Sequence, residues 1–300
     1  YVGTADGQVV HVALSETEPP EMRAAYTVAA PSTAVTTLGF LSGDRSLVVM
    51  SEDGAVSTWG LVRRADAPSG WTLTQIHTLR PHNAPVTAFA PSQRVKGFVT
   101  GDRKGNLFLH HATSSQTLLR LANSEFPIRA VAFAPKGDGL IALDGAGQLS
   151  LYQVQNAYPE VTLETLFAKV WYEGYDQPAH VWQSSSGSDD VEPKLGLLPL
   201  AFGTLKGTMY ALFLAVPIAI LAAMCTSQFM HQDLRAKIKP IIEVMAALPT
   251  VVLGFLAGLW LAPLLERMLP AVAGMALVLP LLVVVASFAW YLCPLSMKRH

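Results

Sequence analysis

Cysteine is nearly absent: the 300-residue chain holds two, Cys225 and Cys293, both inside apolar stretches. The long stretch before Cys225 has none, which excludes a disulfide framework or a cysteine-based zinc site there and leaves the compartment open. A surplus of either charge is also missing. The formal net charge is −1, so the basic face of a nucleic-acid binder is not there. Charge itself is scarce, at 14% of residues against 51% hydrophobic, which is low for a soluble protein of this size. It is also unevenly spread: residues 1–195 carry most of it, and from Gly207 onward long runs have none. No signal peptide is visible. The chain starts at Tyr1 without an initiator methionine and reaches His300 straight after a hydrophobic run, so both ends read as cuts in a longer chain. The length suits about two domains.

What the first half does contain is a repeat. Ala5-Asp6-Gly7-Gln8-Val9-Val10-His11-Val12 and Glu52-Asp53-Gly54-Ala55-Val56-Ser57-Thr58-Trp59 share an Asp/Gly turn followed by alternating apolar residues. Arg103-Lys104-Gly105-Asn106-Leu107-Phe108-Leu109-His110 and Gly145-Ala146-Gly147-Gln148-Leu149-Ser150-Leu151-Tyr152 repeat it. The turn glycines recur at about 40 to 50 residues, a period suited to four-stranded units, and glycine is expected because such turns need positive φ. Upstream lie Val86-Thr87-Ala88-Phe89-Ala90-Pro91-Ser92 and Val131-Ala132-Phe133-Ala134-Pro135-Lys136-Gly137, with a weaker copy at Val35-Thr36-Thr37-Leu38-Gly39-Phe40. Each begins a meander of short strands. Residues 1–156 resemble WD40-type β-propeller repeats, with Trp59 where such repeats often carry a tryptophan and His or Tyr in the other copies. The resemblance implies three blades and the end of a fourth, with further blades before Tyr1. The histidines of this half (His11, His77, His82, His110, His111) lack metal-ligand spacing, and His110 and His111, adjacent on a strand, are expected to face opposite ways. No nucleophile–base pair or phosphate loop is present, so no catalytic, cofactor or metal residue is assigned.

Residues 157–200 form a connector. A short amphipathic helix is expected over 163–171, with Leu163, Leu166, Phe167 and Val170 on one face. Trp171, Tyr172, Tyr175 and Trp182 suit either a headgroup layer ahead of a membrane span or ordinary packing. Residues 184–190 are small and polar, a loop, and Glu192-Pro193-Lys194 breaks any helix.

The second half has three apolar stretches, at 207–226, 244–265 and 268–297, none holding a charge. Each meets the roughly 20 residues needed to cross a hydrocarbon core, and helices with no polar face have nothing to turn to water. Expected spans are about 207–227, 241–265 and 270–295. Pro217, Pro249, Pro263 and Pro280 interrupt them, as membrane helices tolerate, and Gly254, Ala257 and Gly258 share a face that permits close helix approach, so a bundle is expected. Arg235, Lys237 and Lys239 lie between spans one and two, and Lys298 and Arg299 after span three, whereas the second loop has Arg267 beside Glu266. The excess of basic residues in the first loop and the tail assigns those two to the cytoplasm and the repeat domain to the opposite side, the periplasm. These cations are topology determinants, with contact to anionic lipid or an ATPase as a lesser role. Glu243 is an acid near a span: it reads as a pathway or ion-pair group, or as a first-turn acid behind Pro240 that complements the helix dipole.

Gly203-Thr204-Leu205-Lys206-Gly207-Thr208, Ala215-Val216-Pro217 and the series from Lys239-Pro240 through Glu243 to Ala247-Leu248-Pro249-Thr250-Val251-Val252-Leu253-Gly254-Phe255 resemble the start of the permease domain of phosphate-type ABC importers. Tyr172-Glu173-Gly174-Tyr175, Trp182-Gln183-Ser184-Ser185-Ser186 and Glu192-Pro193-Lys194 are similar to the large form that carries an extra periplasmic domain. The resemblance implies an all-β, WD40-like domain (1–156), a connector (157–200) and an all-α polytopic transmembrane bundle (201–300) of the bacterial inner membrane. It implies phosphate import by alternating access, without a cofactor, beside a second permease subunit, cytoplasmic ATP-binding subunits, a periplasmic phosphate-binding protein and membrane lipid. Glu243 and Thr250 are then candidate pathway or interface residues. Thr250 stands where the family more often has serine. The Glu-Ala-Ala…Gly loop that docks on the ATPase is not in this sequence, and Ala246-Ala247 is not that loop. Two other readings compete: a membrane-tethered propeller that binds a ligand or protein, and an exported propeller enzyme, for which no catalytic constellation speaks.

Overall fold

A computed structural model describes residues 1–15, 19–65, 67, 70–183 and 192–292. The 184–190 loop, Cys293, Lys298 and Arg299 therefore lie outside the described residues. Two units are distinguished, Tyr1–Tyr210 and Ala211–His300.

The first unit is built of antiparallel meanders. β1 (Val2–Gly3), β2 (Gln8–Ala13) and β3 (Glu21–Thr27) form a first sheet. β4 (Val35–Phe40), β5 (Ser46–Ser51), β6 (Val56–Arg63) and β7 (Trp71–Thr78) form a second. β8 (Val86–Pro91), β9 (Gly97–Asp102), β10 (Asn106–His111) and β11 (Gln116–Ala122) form a third, and β12 (Ile128–Phe133), β13 (Gly139–Asp144) and β14 (Leu149–Gln153) a fourth. The repeat in the sequence is a repeat in the hydrogen bonding. A bulge recurs near the start of the first strand, where Val35, Val86 and Ile128 oppose Ser51, Asp102 and Asp144. At two of these bulges the extra residue is a threonine, and Thr36 and Thr87 donate to the carbonyls of Met50 and Gly101 across the strand pair. At the turns, Asp102 and Asp144 each accept two backbone N–H groups through Oδ1, from Lys104 and Asn106 and from Ala146 and Gln148. These Asx-type turns explain why Asp precedes the turn glycine.

Apolar residues fill the gaps between successive sheets. Val9, Leu47, Val49 and Trp59 pack between the first and second, Met50, Val56, Val86 and Phe98 between the second and third, and Val99, Ile128, Leu140 and Ala142 between the third and fourth. Packing runs from β1 to β4, from β4 to β8, and from β8 and β9 to β12. The sheets make an open row, and this corrects the propeller expectation: a propeller joins its last sheet to its first in a ring. Here the row stops at the fourth sheet, which leaves Ile141, Leu149 and Leu151 exposed. The physical reason is that the repeated signals are local, while closure depends on packing between sheets far apart in the chain.

In the connector, Thr162 caps a helix α1 (Leu163–Phe167), its hydroxyl accepting from the Thr165 amide while the Thr165 hydroxyl accepts from the Thr162 amide. The helix is shorter than the expected 163–171. Val170 leaves it to pair with Ala179, and Leu163 and Phe167 are exposed. A two-stranded sheet of β15 (Trp182–Gln183) and β16 (Lys194–Leu195) follows.

The helices are α2 (Leu198–Met224), a π-helical turn at Cys225–Phe229, α3 (Gln232–Ala247), α4 (Thr250–Leu256), a second π-helical turn at Ala257–Leu261 and α5 (Ala262–Leu292). Among the described residues, two helical segments are long and apolar enough to cross a membrane, Leu198–Phe229 and Thr250–Ala271, and Val278–Phe288 is a shorter apolar piece. The expected polytopic bundle is therefore corrected. α5 runs through Glu266 and Arg267 where a reversing loop was expected; both are good helix formers, and one charge pair does not break a helix. No described residue after Gly196 is buried, and a Cβ added at Gly254 or Gly258 would meet nothing within 4 Å, so no helix approaches their shared face. Pro240 is also not in a first turn. α3 begins eight residues earlier, at Gln232, with Asp233 in its first turn, so Glu243 sits well past the end whose dipole favours an acid.

Gly105 and Gly147 give a matched test of the turn geometry. Both have positive φ, 80° and 84°, but a Cβ at Gly105 would lie 2.0 Å from the Ser124 carbonyl oxygen while one at Gly147 meets nothing within 4 Å. G147A is expected to cost about 1 kcal/mol from backbone strain alone, and G105A at least about 2 kcal/mol more from the clash. Urea unfolding followed by tryptophan fluorescence measures the difference, and equal midpoints would refute the turn geometry.

Candidate functional site

The connector is held to the sheets by a buried cluster of charges. Tyr172 is 2% exposed. Next to it, Glu173 takes an ion pair from Lys96 Nζ at 2.8 Å and a hydrogen bond from Ser46 Oγ at 2.5 Å. Lys96 also donates to the Ser42 carbonyl. Glu192 accepts from the Glu173 amide at 2.6 Å and from the Thr113 hydroxyl. Burial pushes the Glu192 carboxyl up, against the lowering effect of those two hydrogen bonds. Lys194 Nζ donates to Gln183 Oε1 at 2.7 Å and lies 5.7 Å from the centroid of the Tyr175 ring, within reach of a cation–π contact. Trp171 to Tyr175 are thus packed against sheets two and three. Trp171 is further fixed by its indole N–H donating to the Tyr175 carbonyl at 2.9 Å.

Between these connector residues and β5, β6 and β7 lies a cavity of about 440 Å³. Its apolar walls include the rings of Phe40, Trp59, Trp71 and Trp171 beside Leu61, Leu73 and Ile76, and its polar residues include Thr58, His77, Lys96, Glu173 and Glu192. A volume of this size, with apolar walls and a few polar groups, is what small-molecule sites have. His77 bonds on both ring nitrogens, Nε2 to the Trp171 carbonyl at 3.1 Å and Nδ1 to Ser115 Oγ at 2.6 Å. The carbonyl can only accept, so Nε2 carries the proton and Nδ1 receives the serine hydroxyl. Burial lowers the His77 pKa to about 4, partly opposed by the Trp171 contact, and the ring is neutral at pH 7.

The third sheet holds a chain of polar side chains. His82 bonds Asp102 Oδ2 through Nδ1 at 2.9 Å and Thr100 Oγ1 through Nε2 at 2.7 Å. Thr100 meets His110 Nε2 at 2.9 Å, and His110 Nδ1 meets Thr117 Oγ1 at 3.0 Å. Carboxylate, imidazole and hydroxyl follow the order of a hydrolase triad. Thr100, Asp102 and His110 are each 0% exposed and His82 2%, so no substrate reaches the hydroxyl, and the chain serves to satisfy buried polar groups. His110 and His111 do face different partners, but both are buried; His111 bonds Ser114 Oγ at 2.8 Å. Among the described residues, no cluster of three or more His, Cys, Asp or Glu could hold a metal ion.

In the helical unit, Arg235 reaches back to the end of the first long helix. Its Nε donates to the Thr226 carbonyl at 2.8 Å and its Nη2 to that of Ser227. A cation on carbonyls left open at a helix C-terminus satisfies them and complements the dipole. A cavity of about 410 Å³ brings together Arg235, Lys239 and Glu243 with Thr226 and Ser227; Lys239 and Glu243 are one turn apart on α3. Lys237 and Thr250 do not line it. Thr250 opens α4 after Pro249, the break that separates α3 from α4. Sequence reasoning had treated Arg235 as a topology signal and missed its role in joining two helices. It also missed Thr58, Lys96 and Thr113, and it took Glu192 for part of a helix-breaking tripeptide; their partners are distant in the chain, and no local pattern announces them.

No family model matches the chain. A probable ABC transporter permease protein, YqgH of Bacillus subtilis (strain 168), is 30% identical over 78 residues, 26% of this chain and 25% of the relative. The chain thus spans about a quarter of the length of that curated relative. Among solved structures, the computationally designed Ika4 protein shares 18% identity at a TM-score of 0.39, covering 51% of this chain and 83% of that one. The β-propeller domain of Myceliophteria thermophila Cps50 (Swd1) shares 15% at a TM-score of 0.41, covering 51% and 46%. Likenesses this partial do not define the fold, which rests on the strand order above.

The buried histidines make stability depend on pH. Burial lowers His110 to about 3 and His111 to about 4, from 6.5. The unfolded chain binds these protons first, so their contribution is complete above pH 6.5 and is lost as pH falls toward the folded values. By pH 5 the loss is about 2 kcal/mol for each. Glu192, whose folded pKa is raised, works the other way and offsets part of it. The melting temperature of the β unit should fall between pH 7 and pH 5, as near-ultraviolet circular dichroism would record. A rise over that interval would contradict the neutral burial of these rings.

Proposed function

We propose that this chain is part of the membrane-embedded permease subunit of an ATP-driven importer, with inorganic phosphate as the cargo. The similarity to a probable ABC transporter permease carries this reading. Two apolar segments of membrane length are consistent with it. Phosphate as the substrate is supported by the resemblance of the series from Lys239 to Phe255. On this reading the subunit catalyses no reaction of its own. ATP is hydrolysed on cytoplasmic partner subunits, transport runs by alternating access beside a second permease subunit, and a periplasmic phosphate-binding protein delivers the ion.

The basic segment Arg235, Lys237 and Lys239 then faces the cytoplasm of a bacterial inner membrane, and the β unit faces the periplasm. Glu243 and Thr250 lie along or beside the translocation path, with Glu243 held near Lys239 as an intramembrane acid needs a partner. A second reading, a membrane-anchored β unit that binds a ligand or a protein, is favoured by the aromatic cavity under the connector. The two separate on transport. In cells starved of phosphate and lacking other phosphate importers, deletion of the gene encoding this sequence should lower the initial uptake rate of labelled phosphate at least about tenfold, with recovery on complementation. Uptake unchanged by the deletion would overturn the importer reading and leave the anchored binding unit.

A further inference from the structure

We propose that the pocket between the end of the first long helix and α3 is a discrete site for the phosphodiester head of an anionic phospholipid. The proposal rests on the membrane reading above and goes beyond it, because a topology signal needs only a local excess of cations and no particular place for them. The cavity, of about 410 Å³, brings two kinds of side chain together, Arg235 and Lys239 beside Ile238 and Ile242. Both come from the pattern of α3. Arg235, Lys239 and Glu243 recur at four-residue spacing along one stripe, and Leu234, Ile238 and Ile242 along the stripe next to it, since residues four apart on a helix are neighbours. A cationic stripe beside an apolar one suits a ligand with an anionic head and an apolar body.

The polar groups of the pocket leave donors to spare. Arg235 spends Nε and Nη2 on the carbonyls of Thr226 and Ser227, which leaves the two N–H groups of Nη1. Those carbonyls are the negative end of a helix, so covering them also removes what would repel an anion. The hydroxyls of Thr226 and Ser227 donate to carbonyls of their own helix. Among the described residues, the Lys239 side chain makes no hydrogen bond or ion pair. Asp233 lies against His231, at 3.3 Å, and Glu243, about two turns from Arg235, is one acid against two cations. Depth and shape then choose the anion. The apolar segment Leu198–Phe229 ends where the pocket begins, so with that segment in lipid the pocket stands at the level of the headgroups. The glycerol and first methylenes of a phospholipid would cover Ile238 and Ile242, whereas inorganic phosphate leaves them bare and gains nothing from them.

The test titrates the full chain, in nonionic detergent, with phosphatidylglycerol and with phosphatidylcholine, and counts bound lipids by native mass spectrometry. Phosphatidylglycerol should bind at least about fivefold more tightly. K239Q should weaken it about fivefold, and K239R should retain it. K237Q removes the same charge from the same helix but outside the pocket, and should change the affinity less than about twofold. Phosphatidylcholine binding equal to that of the wild-type chain shows that each variant is folded. Equal weakening by K237Q and K239Q would mean a diffuse field of charge and would overturn the site. Equal affinity for the two lipids would do the same, as would displacement of phosphatidylglycerol by inorganic phosphate, which would make the pocket a site for the free ion. A chain that binds neither lipid overturns the membrane reading along with the proposal, whereas unselective binding overturns the site alone. None of these readouts depends on the cargo.

Discussion

The constraint on which the functional account depends is that no described residue of the helices after Gly196 is buried, although the segments Leu198–Phe229 and Thr250–Ala271 are almost wholly apolar. Large apolar side chains such as Phe213, Leu214, Val251, Phe255 and Trp260 are exposed all round. Each such side chain left in water forgoes about 1.5–3 kcal/mol of burial, and dozens of them together outweigh the whole stability of a typical domain. Lipid is the environment that removes this cost without a protein partner. What the helices do show internally is a joint: Arg235 ties the end of the first long helix to α3 through two carbonyls, and Pro249 separates α3 from α4. These fix local turns and do not make a bundle.

The β unit solves the opposite problem. Its four sheets bury valine, leucine and aromatic side chains between them, and its buried polar groups are almost all paired. The connector is part of this unit by virtue of Glu173, Glu192 and Lys194, three charged residues at low exposure that find partners on the sheets or on each other. Removing one member of such a buried set is more damaging than never having had it, so the set also specifies where the connector lies. The cavity and the connector rings meet at that seam.

The sequence disclosed the local parts of this structure. The turn glycines needed positive φ and have it, 84° at Gly7, 85° at Gly54, 80° at Gly105 and 84° at Gly147, because a tight turn leaves its mark on a few adjacent residues. The strand at Val86–Pro91 was visible for the same reason, as period-2 alternation ahead of a turn, and the segment expected from Val131 proved to be the end of a strand that starts at Ile128. The openness of the sheet row was not visible, since it depends on which sheets face one another. The helix start at Gln232 was missed because Pro240 was taken as a first-turn residue. A proline removes one N–H and costs one intrahelical bond, and the preceding Gln-Asp-Leu-Arg-Ala-Lys-Ile-Lys favours helix strongly enough to carry through it. The continuous α5 was missed because Glu266 and Arg267 looked like a loop, whereas charged residues end a helix only when something else breaks the backbone pattern. The pairing of Lys96 with Glu173, and the site it borders, had no local signal.

Alkaline carbonate extraction of membranes from cells expressing the chain tests the lipid requirement most directly, since high pH strips proteins held by charge and leaves those held by apolar burial. The chain is expected to stay with the membrane pellet and to be released only by detergent. Quantitative release into the carbonate supernatant, as a folded soluble species, would contradict it.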